Sequence, residues 1–483
     1  MQKPFTPADI KHYPHFDRHL TPDQINELVR DSARVASNKF YPFFLYYETW
    51  QPFRTKKDSN GKTIKPPIKS RPIRYAARKD AYILTHYRRI LSEKYEVRLC
   101  EMGIEECPIA YRKIPKSTGG GKSNIEFAKD AFDAIDAMGD CIAIALDIKG
   151  FFENLDHDRI KSVWCDLLGV ERLPEDHFTV FKNVTRYRVV DQKEVYRRLG
   201  IIAKGQDGIE QYTVPYSDMP TQLCSPKEFR DKICGGDPNL PSIIVKNDDP
   251  FGIPQGAPIS DLIANFYLMD FDKSLSDFAA EFGGTYMRYS DDILLILPFS
   301  EGIADKAEQF AIAEIRNYGN QLKIKPSKTC VVQFKRLDDG LSFQHVKGPQ
   351  GKNGFEYLGF RYDGRKVYIR DSTISRLYRK VSRTAKGIAN GFSNGHPDMS
   401  VEEIMSKFNY SNFSQRFNRV DEQNLSPDDF NTWTFYSYLK RASEAFGEKG
   451  SPIIPQARKF RSFMKSRLNE AMKSAVIKRD NRS

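Results

Sequence analysis

One short stretch constrains this chain more than any other: Met287-Arg288-Tyr289-Ser290-Asp291-Asp292-Ile293-Leu294-Leu295-Ile296-Leu297. Ile293 to Leu297 is a continuous apolar run closed by Pro298, long enough for a buried strand. Thr285 to Tyr289 is also β-prone, so the stretch predicts a hairpin with Ser290, Asp291 and Asp292 at its tip. Adjacent aspartates at a tip repel each other, and the pair makes most sense where cations sit. An ordinary Asp turn on a surface hairpin fits the same residues, so the decision passes to the rest of the chain.

At 483 residues the chain is too long for one small core, and two to four subdomains are expected. A hydrophobic content of 40% suits a globular protein. No stretch reaches the apolar length of a membrane span, and Met1 to Phe5 lacks the apolar core of a signal peptide. The seven cysteines are scattered without a C-x-x-C pair. That argues against zinc and against a disulfide framework, and for a reducing, cytoplasmic setting. A formal net charge of +12 points to a polyanionic partner, the plainer alternative being an ordinary basic protein, and without an apolar span no membrane partner is expected.

Thr21-Pro22-Asp23-Gln24 predicts a capped helix start, and Phe40 to Tyr47 an aromatic cluster suited to core packing or to base stacking. Residues 54–79 are dense in cations: Arg54, Lys56, Lys57, Lys62, Lys65, Lys69, Arg71, Arg74, Arg78 and Lys79. With Gly61, Pro66 and Pro67 they predict an exposed hairpin or loop that could grip a triphosphate, or simply a solvated charge run. Asp80 to Tyr95 predicts a helix. Gly119-Gly120-Gly121-Lys122-Ser123 resembles a phosphate loop only superficially. Lys116 stands where the first glycine belongs and no strand precedes it, so an ATPase is excluded and a turn into a helix near Asn124 expected.

Cys141 to Leu146 predicts a buried strand ending in Asp147. An acid there is costly unless a metal or hydrogen bonds compensate it, although a capping Asp would also serve. Residues 158–250 show helical pattern and a charged tract, with nothing that marks chemistry. Phe251 to Ser260 is a Pro/Gly-rich loop feeding a helix, with Gly256 allowing close backbone approach to a ligand. Ala304 to Gln321 predicts an amphipathic helix, residues 371–389 a basic one, His396-Pro397 a subdomain edge, and Gln456 to Arg482 a further basic helix for docking or nucleic-acid contact.

Singly these signals are weak; their order is specific. A basic loop, a strand–Asp–x4–Phe, a Pro-Gln-Gly loop with helix, Tyr-x-Asp-Asp, a Lys-Thr pair and Tyr-Leu-Gly-Phe follow one another. This order resembles the reverse transcriptase family across roughly residues 65–390. Ala145 to His157 is similar to its first catalytic motif. Gly252 to Ser260, with Asn265, is similar to its template and nucleotide loop, and Tyr289-Ser290-Asp291-Asp292 to its second catalytic motif. The resemblance implies an α+β right-hand polymerase with fingers, an antiparallel-sheet palm and a helical thumb and C-terminal region. The expected boundaries are 1–140 for the N-terminal region and fingers and 141–365 for the palm, with a finger insertion at about 158–250. Residues 366–395 would be the thumb helix and 396–483 a helical C-terminal region.

The resemblance also implies the chemistry. Asp147, Asp291 and Asp292 would be catalytic and, with the Ile148 carbonyl, would hold two Mg²⁺ ions, with Mn²⁺ as substitute. Phe152 would be the aromatic gate against a ribose 2′-hydroxyl. Gln255 would contact the incoming nucleotide, with Lys69, Arg71 and Arg74 on its triphosphate and Lys328 on pyrophosphate, unless Lys328 is merely solvated. Tyr357, Leu358 and Gly359 would be the primer grip. Partners would be dNTPs, a DNA product and an RNA template such as a structured non-coding RNA, with a homo-oligomer left open.

No integrase, RNase H or Cys/His endonuclease pattern follows the core, and a clear Asn-Ala-x-x-His or Val-Thr-Gly pair of the retron kind is lacking. Phe40 to Phe43, the insert before Pro254, Cys224 to Arg230 and Phe435 to Arg441 resemble bacterial unknown-group, abortive-infection-like enzymes of phage defence. The expectation is therefore a defence-associated reverse transcriptase. The alternatives are a template-independent, protein-primed DNA polymerase of that type and a non-catalytic RNA-binding scaffold.

Overall fold

The computed structural model describes residues 2–51, 56–57, 63–64, 67–117, 119–205, 208, 210–349, 351–418 and 434–481. Arg54, Lys62 and Lys65 of the basic tract and Arg482 lie outside the described residues. The central element is a five-stranded sheet in the order Thr285–Tyr289, Asp292–Pro298, Cys141–Asp147, Cys330–Leu337, Gly340–Lys347. Every neighbouring pair in it is antiparallel.

The apolar run has a direct physical cause. Ile293, Leu295 and Leu297 enter one hydrophobic core together with Ile142, Ile144 and Leu146. Leu294 and Ile296 enter another with Cys141, Ala143, Val332 and Phe334. A sheet wet on one face alternates apolar with polar residues, whereas one covered on both faces must be apolar throughout. On the first face lie helices Arg78–Met102, His157–Leu168, Ser260–Tyr267, Met269–Glu281 and Ile303–Glu314. On the second lie helix Asn124–Met138, a small antiparallel sheet of Phe355–Tyr357, Phe360–Tyr362 and Val367–Ile369, and helix Phe435–Phe446.

A separate four-stranded sheet runs Lys69–Tyr75, Phe43–Trp50, Arg188–Asp191, Val245–Lys246. Its central pair is parallel, with Phe44 beside Val190. Two segments far apart in sequence, the N-terminal region and the stretch 158–250, therefore share one sheet. Burial divides the Phe40–Tyr47 cluster along the strand and not between its faces: Phe43 and Phe44 at its start are both buried, while Tyr46 and Tyr47 further on are both exposed.

Several boundaries differ from the sequence expectation. The helix expected at Asp80–Tyr95 runs Arg78–Met102, until Gly103 at φ 64° closes it. The one expected at Ala304–Gln321 ends at Glu314 and tightens into a 3-10 turn, Ile315–Tyr318. Of the hairpin or loop expected for the basic tract, its far part takes the hairpin form: the strand Lys69–Tyr75 pairs antiparallel, residue by residue, with Phe44–Trp50. Helix Asp371–Asn394 does end before His396-Pro397, but the later helices fold back on it. Leu377, Val381, Ala385 and Ala389 share one core with Met464, Leu468, Met472 and Val476 of helix Phe460–Asp480. The Thr21 cap forms as the sequence implies, and the helix expected near Asn124 starts there, its first turn closed by a Ser123–Glu126 capping box.

Among the described residues no helix is long and apolar enough to cross a membrane, and the seven cysteines are all free. Leu295→Ala, which empties a fully buried position at the sheet centre, is expected to lower unfolding free energy by about 2–5 kcal/mol. Urea denaturation measures it, and a loss under about 1 kcal/mol would contradict this packing.

Candidate active site

Strand register places Asp147 directly opposite Asp292. Asp147 has the parity of Ala143, and Asp292 that of Leu294 and Ile296. Both carboxylates therefore leave the sheet on the face covered by residues 355–369. A slip of one residue would send Asp292 to the opposite face. Ser290 and Asp291 form the turn between the hairpin strands, with Ser290 left-handed at φ 60°. The Asp291 carbonyl accepts the Ile148 amide at 3.0 Å, which fastens the turn to the residue after Asp147. Asp147 and the adjacent pair Asp291–Asp292, distant from it in sequence, thus meet at one end of one sheet.

Their electrostatics reflect that crowding. Burial, then the Asp291 and Asp147 charges, push the Asp292 carboxyl up to about 7, although one side of it opens to solvent. Burial and Asp147 also push Asp291 up, while Lys328 and Arg71 oppose the shift. Asp147 is held by two lysines: Lys328 hydrogen-bonds Oδ2, and Lys325 lies 3.7 Å from Oδ1. Asp147 Oδ1 is buried and makes no hydrogen bond. Among the described residues no group of three or more His, Cys, Asp or Glu side chains forms a ready-made metal cage. Lys328 instead supplies the positive charge on Asp147.

The other expected residues are distributed around these acids. Gln255 lies on the Pro/Gly loop, and its carbonyl accepts the Arg74 amide at 2.8 Å. Gly256, at φ 104°, makes that docking close: a β-carbon there would stand 2.9 Å from the Arg74 carbonyl oxygen. The Arg74 guanidinium lies 5.3 Å over the Tyr187 ring, with Nε and Nη1 buried and without a hydrogen-bond partner. Arg71 stacks 5.5 Å from Trp50 and is near enough to Asp291 to oppose the upward shift of its pKa. Lys69 is exposed at the far end of the same strand, opposite Trp50, and is not drawn toward the acids. Phe152 is buried in a short 3-10 turn, its carbonyl accepting the Ile253 amide at 2.8 Å, so it is tied to the Gln255 loop. Tyr357 is buried, and the Asp292 charge raises its pKa after burial itself. Leu358 and Gly359 form a left-handed turn at φ 44° and 93°.

Sequence reasoning missed several neighbours. Arg370 opposes the upward shift of Asp292 and pairs with Glu356 at 2.5 Å. Asn124 donates to the Leu358 carbonyl and to the Tyr438 hydroxyl, both at 3.1 Å, bracing the 357–359 turn. Tyr111, itself left-handed at φ 61°, reaches the Ser290 hydroxyl at 3.4 Å. Only Lys325 had a signal, lying in the same short basic run as Lys328.

With this geometry stands one family match. Residues 250–362 match the reverse transcriptase (RNA-dependent DNA polymerase) family. The matched region holds Gln255, the Asp291–Asp292 hairpin, Lys328 and the 357–359 turn; Asp147 and Phe152 precede it. The enzyme class that this match carries is RNA-directed DNA polymerase. The mixed α/β architecture with antiparallel sheets is consistent with a right-hand polymerase fold. A search of the curated proteins finds no match.

Among solved structures, the chain is similar to telomerase from Candida albicans in complex with a TWJ fragment of telomeric RNA. The identity is 13%, covering 92% of this chain and 65% of that one, with a TM-score of 0.39. It is also similar to apo telomerase from Candida tropicalis truncated from the C-terminal domain, at 11% identity, 75% and 63% coverage and a TM-score of 0.38. The chain spans less than two thirds of the length of either.

The raised Asp292 pKa carries a stability signature. Between the ordinary 3.8 and about 7 the folded protein keeps a proton that the unfolded chain releases, so stability falls as pH rises through that window. Asp292→Asn should therefore stabilise the metal-free protein at pH 7, by on the order of 1 kcal/mol after solvent screening, and leave it unchanged near pH 4. Melting curves at the two pH values check this; a variant no more stable at pH 7 contradicts it.

Proposed function

We propose that this protein is a DNA polymerase that uses dNTPs and an RNA template, with Asp147, Asp291 and Asp292 as its catalytic carboxylates. The observation carrying the reading is the pairing of Asp147 with Asp292 across the sheet, with Asp291 fastened to Ile148. The donor set suits hard divalent cations: carboxylate oxygens, one of them buried without a hydrogen bond. Reverse transcriptase domains generally work with divalent ions. The three carboxylates and the Ile148 carbonyl would hold two Mg²⁺, with Mn²⁺ able to substitute. When bound, the ions stabilise the attacking 3′-oxygen and the leaving pyrophosphate oxygen.

The remaining residues bind and orient. Arg71 and Arg74 lie on the strand that docks against the Gln255 loop, which suits them to a triphosphate beside Gln255. Arg74 offers two unpartnered nitrogens for it. Lys69 is the weaker candidate, being exposed at the strand's far end. Phe152, fixed through Ile253 to the same loop, would exclude the ribose 2′-hydroxyl by its bulk and offer it no hydrogen bond. Lys328 sits on Asp147 in this state and would have to release it before donating a proton to pyrophosphate. Tyr357 is near enough to Asp292 to feel its charge, and with Leu358 and Gly359 it would seat the primer end.

The biological role we propose is antiviral defence, with a dedicated non-coding RNA as template. Its support is the resemblance of Phe40–Phe43, Cys224–Arg230 and Phe435–Arg441 to defence-associated enzymes. Two of these segments meet in space, Tyr41 lying 5.2 Å from Phe229.

Purified protein with its co-purifying RNA, Mg²⁺ and labelled dNTPs should make DNA, and Asp291→Ala should reduce it at least about a hundredfold. A mutant as active as wild type sinks the carboxylate assignment. Product that stays attached to protein after all RNA is digested would replace the templated reading by the protein-primed one. Phe152→Ala should raise ribonucleotide incorporation by about tenfold to a hundredfold; unchanged sugar selectivity would mean another residue is the gate. Cells expressing wild type but not Asp291→Ala should resist phage, and equal plaque counts would remove the defence role.

A further inference from the structure

Beneath the catalytic turn lies an ion pair with no access to solvent. Arg288 and Asp272 are both 0% exposed. The guanidinium grips the carboxylate with two bonds, Nε to Oδ1 and Nη2 to Oδ2, each 2.6 Å. The Tyr286 hydroxyl donates to Asp272 Oδ1 at 2.7 Å. Desolvating two charges offsets most of what their attraction returns, so such a pair adds little net stability over an apolar filling. Its position suggests a different use. Arg288 Nη1 donates to the Ser290 carbonyl at 3.1 Å, and Nη2 to the Asn265 carbonyl at 3.2 Å.

Ser290 holds a left-handed backbone at φ 60°, unfavourable for a residue with a β-carbon. The Arg288 bond closes onto the carbonyl of that strained residue. On the other side of Asp291, its own carbonyl is taken by the Ile148 amide. The peptide planes before and after the Asp291 Cα are therefore both pinned, one by Arg288 and one by Ile148. Two fixed planes set the direction of the Asp291 Cα–Cβ bond, and with it the region its carboxylate can reach.

We propose that Arg288, oriented by Asp272, is a positioning residue that aims the Asp291 carboxylate toward Asp147. It touches no substrate, being buried, and acts only through the Ser290 carbonyl. The inference rests on Asp291 as a metal-holding carboxylate, the reading proposed above.

The test separates positioning from stability. The triple variant Tyr286→Phe/Asp272→Leu/Arg288→Met replaces the buried polar group by apolar side chains, and is expected to fold with a melting temperature near wild type. Its Mn²⁺ affinity, read by electron paramagnetic resonance or titration calorimetry without nucleotide, should fall about tenfold to a hundredfold, and kcat similarly. KM for dNTP should change far less. A folded triple variant with wild-type Mn²⁺ affinity and kcat would overturn the proposal, leaving the pair a structural filler. Should the triple variant melt too low to assay, Arg288→Lys carries the same test. It keeps the charge beside Asp272 but lacks the planar fork that reaches Ser290, so the same loss of affinity is expected and full retention overturns the idea. Wild-type protein that binds no Mn²⁺ lost in Asp291→Ala would overturn the metal reading itself, an outcome distinct from either.

Discussion

Burial of both faces of one sheet is the constraint on which this molecule turns. Because Ile293 to Leu297 and Ile142 to Leu146 are covered on both sides, neither strand can slip without exposing apolar surface or burying an acid. The locked register holds Asp147 opposite Asp292, at the end where the sheet emerges from its two cores. Precision at the site is thus inherited from packing some distance away. Loops alone would not supply it, since each residue of slip reverses the side-chain direction.

Crowding three carboxylates at that end has an electrostatic cost, and the surroundings are arranged to offset it. Lys328 and Lys325 face Asp147, Arg71 approaches Asp291 and Arg370 approaches Asp292. The cations come from three elements: both lysines from the 322–329 run, Arg71 from the strand Lys69–Tyr75 and Arg370 from the end of the small sheet. The upward shifts of Asp291 and Asp292 show that these cations do not cancel the repulsion fully. A site in that condition is a good host for further positive charge, which is what the proposed chemistry requires.

The loop carrying Gln255 joins the two sheets. Its backbone docks on Arg74 of the four-stranded sheet, while Phe152 and Ile253 tie it to the segment that follows Asp147. Glycine is needed at 256 because the Arg74 carbonyl occupies the space of a side chain. The residues proposed to hold the base, sugar and triphosphate of one nucleotide are therefore mechanically coupled through main-chain bonds.

Read without coordinates, the chain already disclosed its hairpin, the strand ending in Asp147, the Gly-Pro loop and several of its helices. Those are local: apolar periodicity, turn residues and caps act within a few positions of one another. The parallel pairing of Phe43–Trp50 with Arg188–Asp191 was illegible, because neither strand carries a mark of its partner. The same holds for Arg370 beside Asp292, for Asn124 under the 357–359 turn and for Arg288 beneath Ser290. Each is an ordinary charged or amide side chain until the fold sets it beside its partners. Sequence by itself determined which residues could carry chemistry, since that depends on functional groups and short spacing. Tertiary structure alone decided which of them meet and which cation answers which acid, since most of those contacts bridge positions far apart in the chain and exist only after the chain has packed.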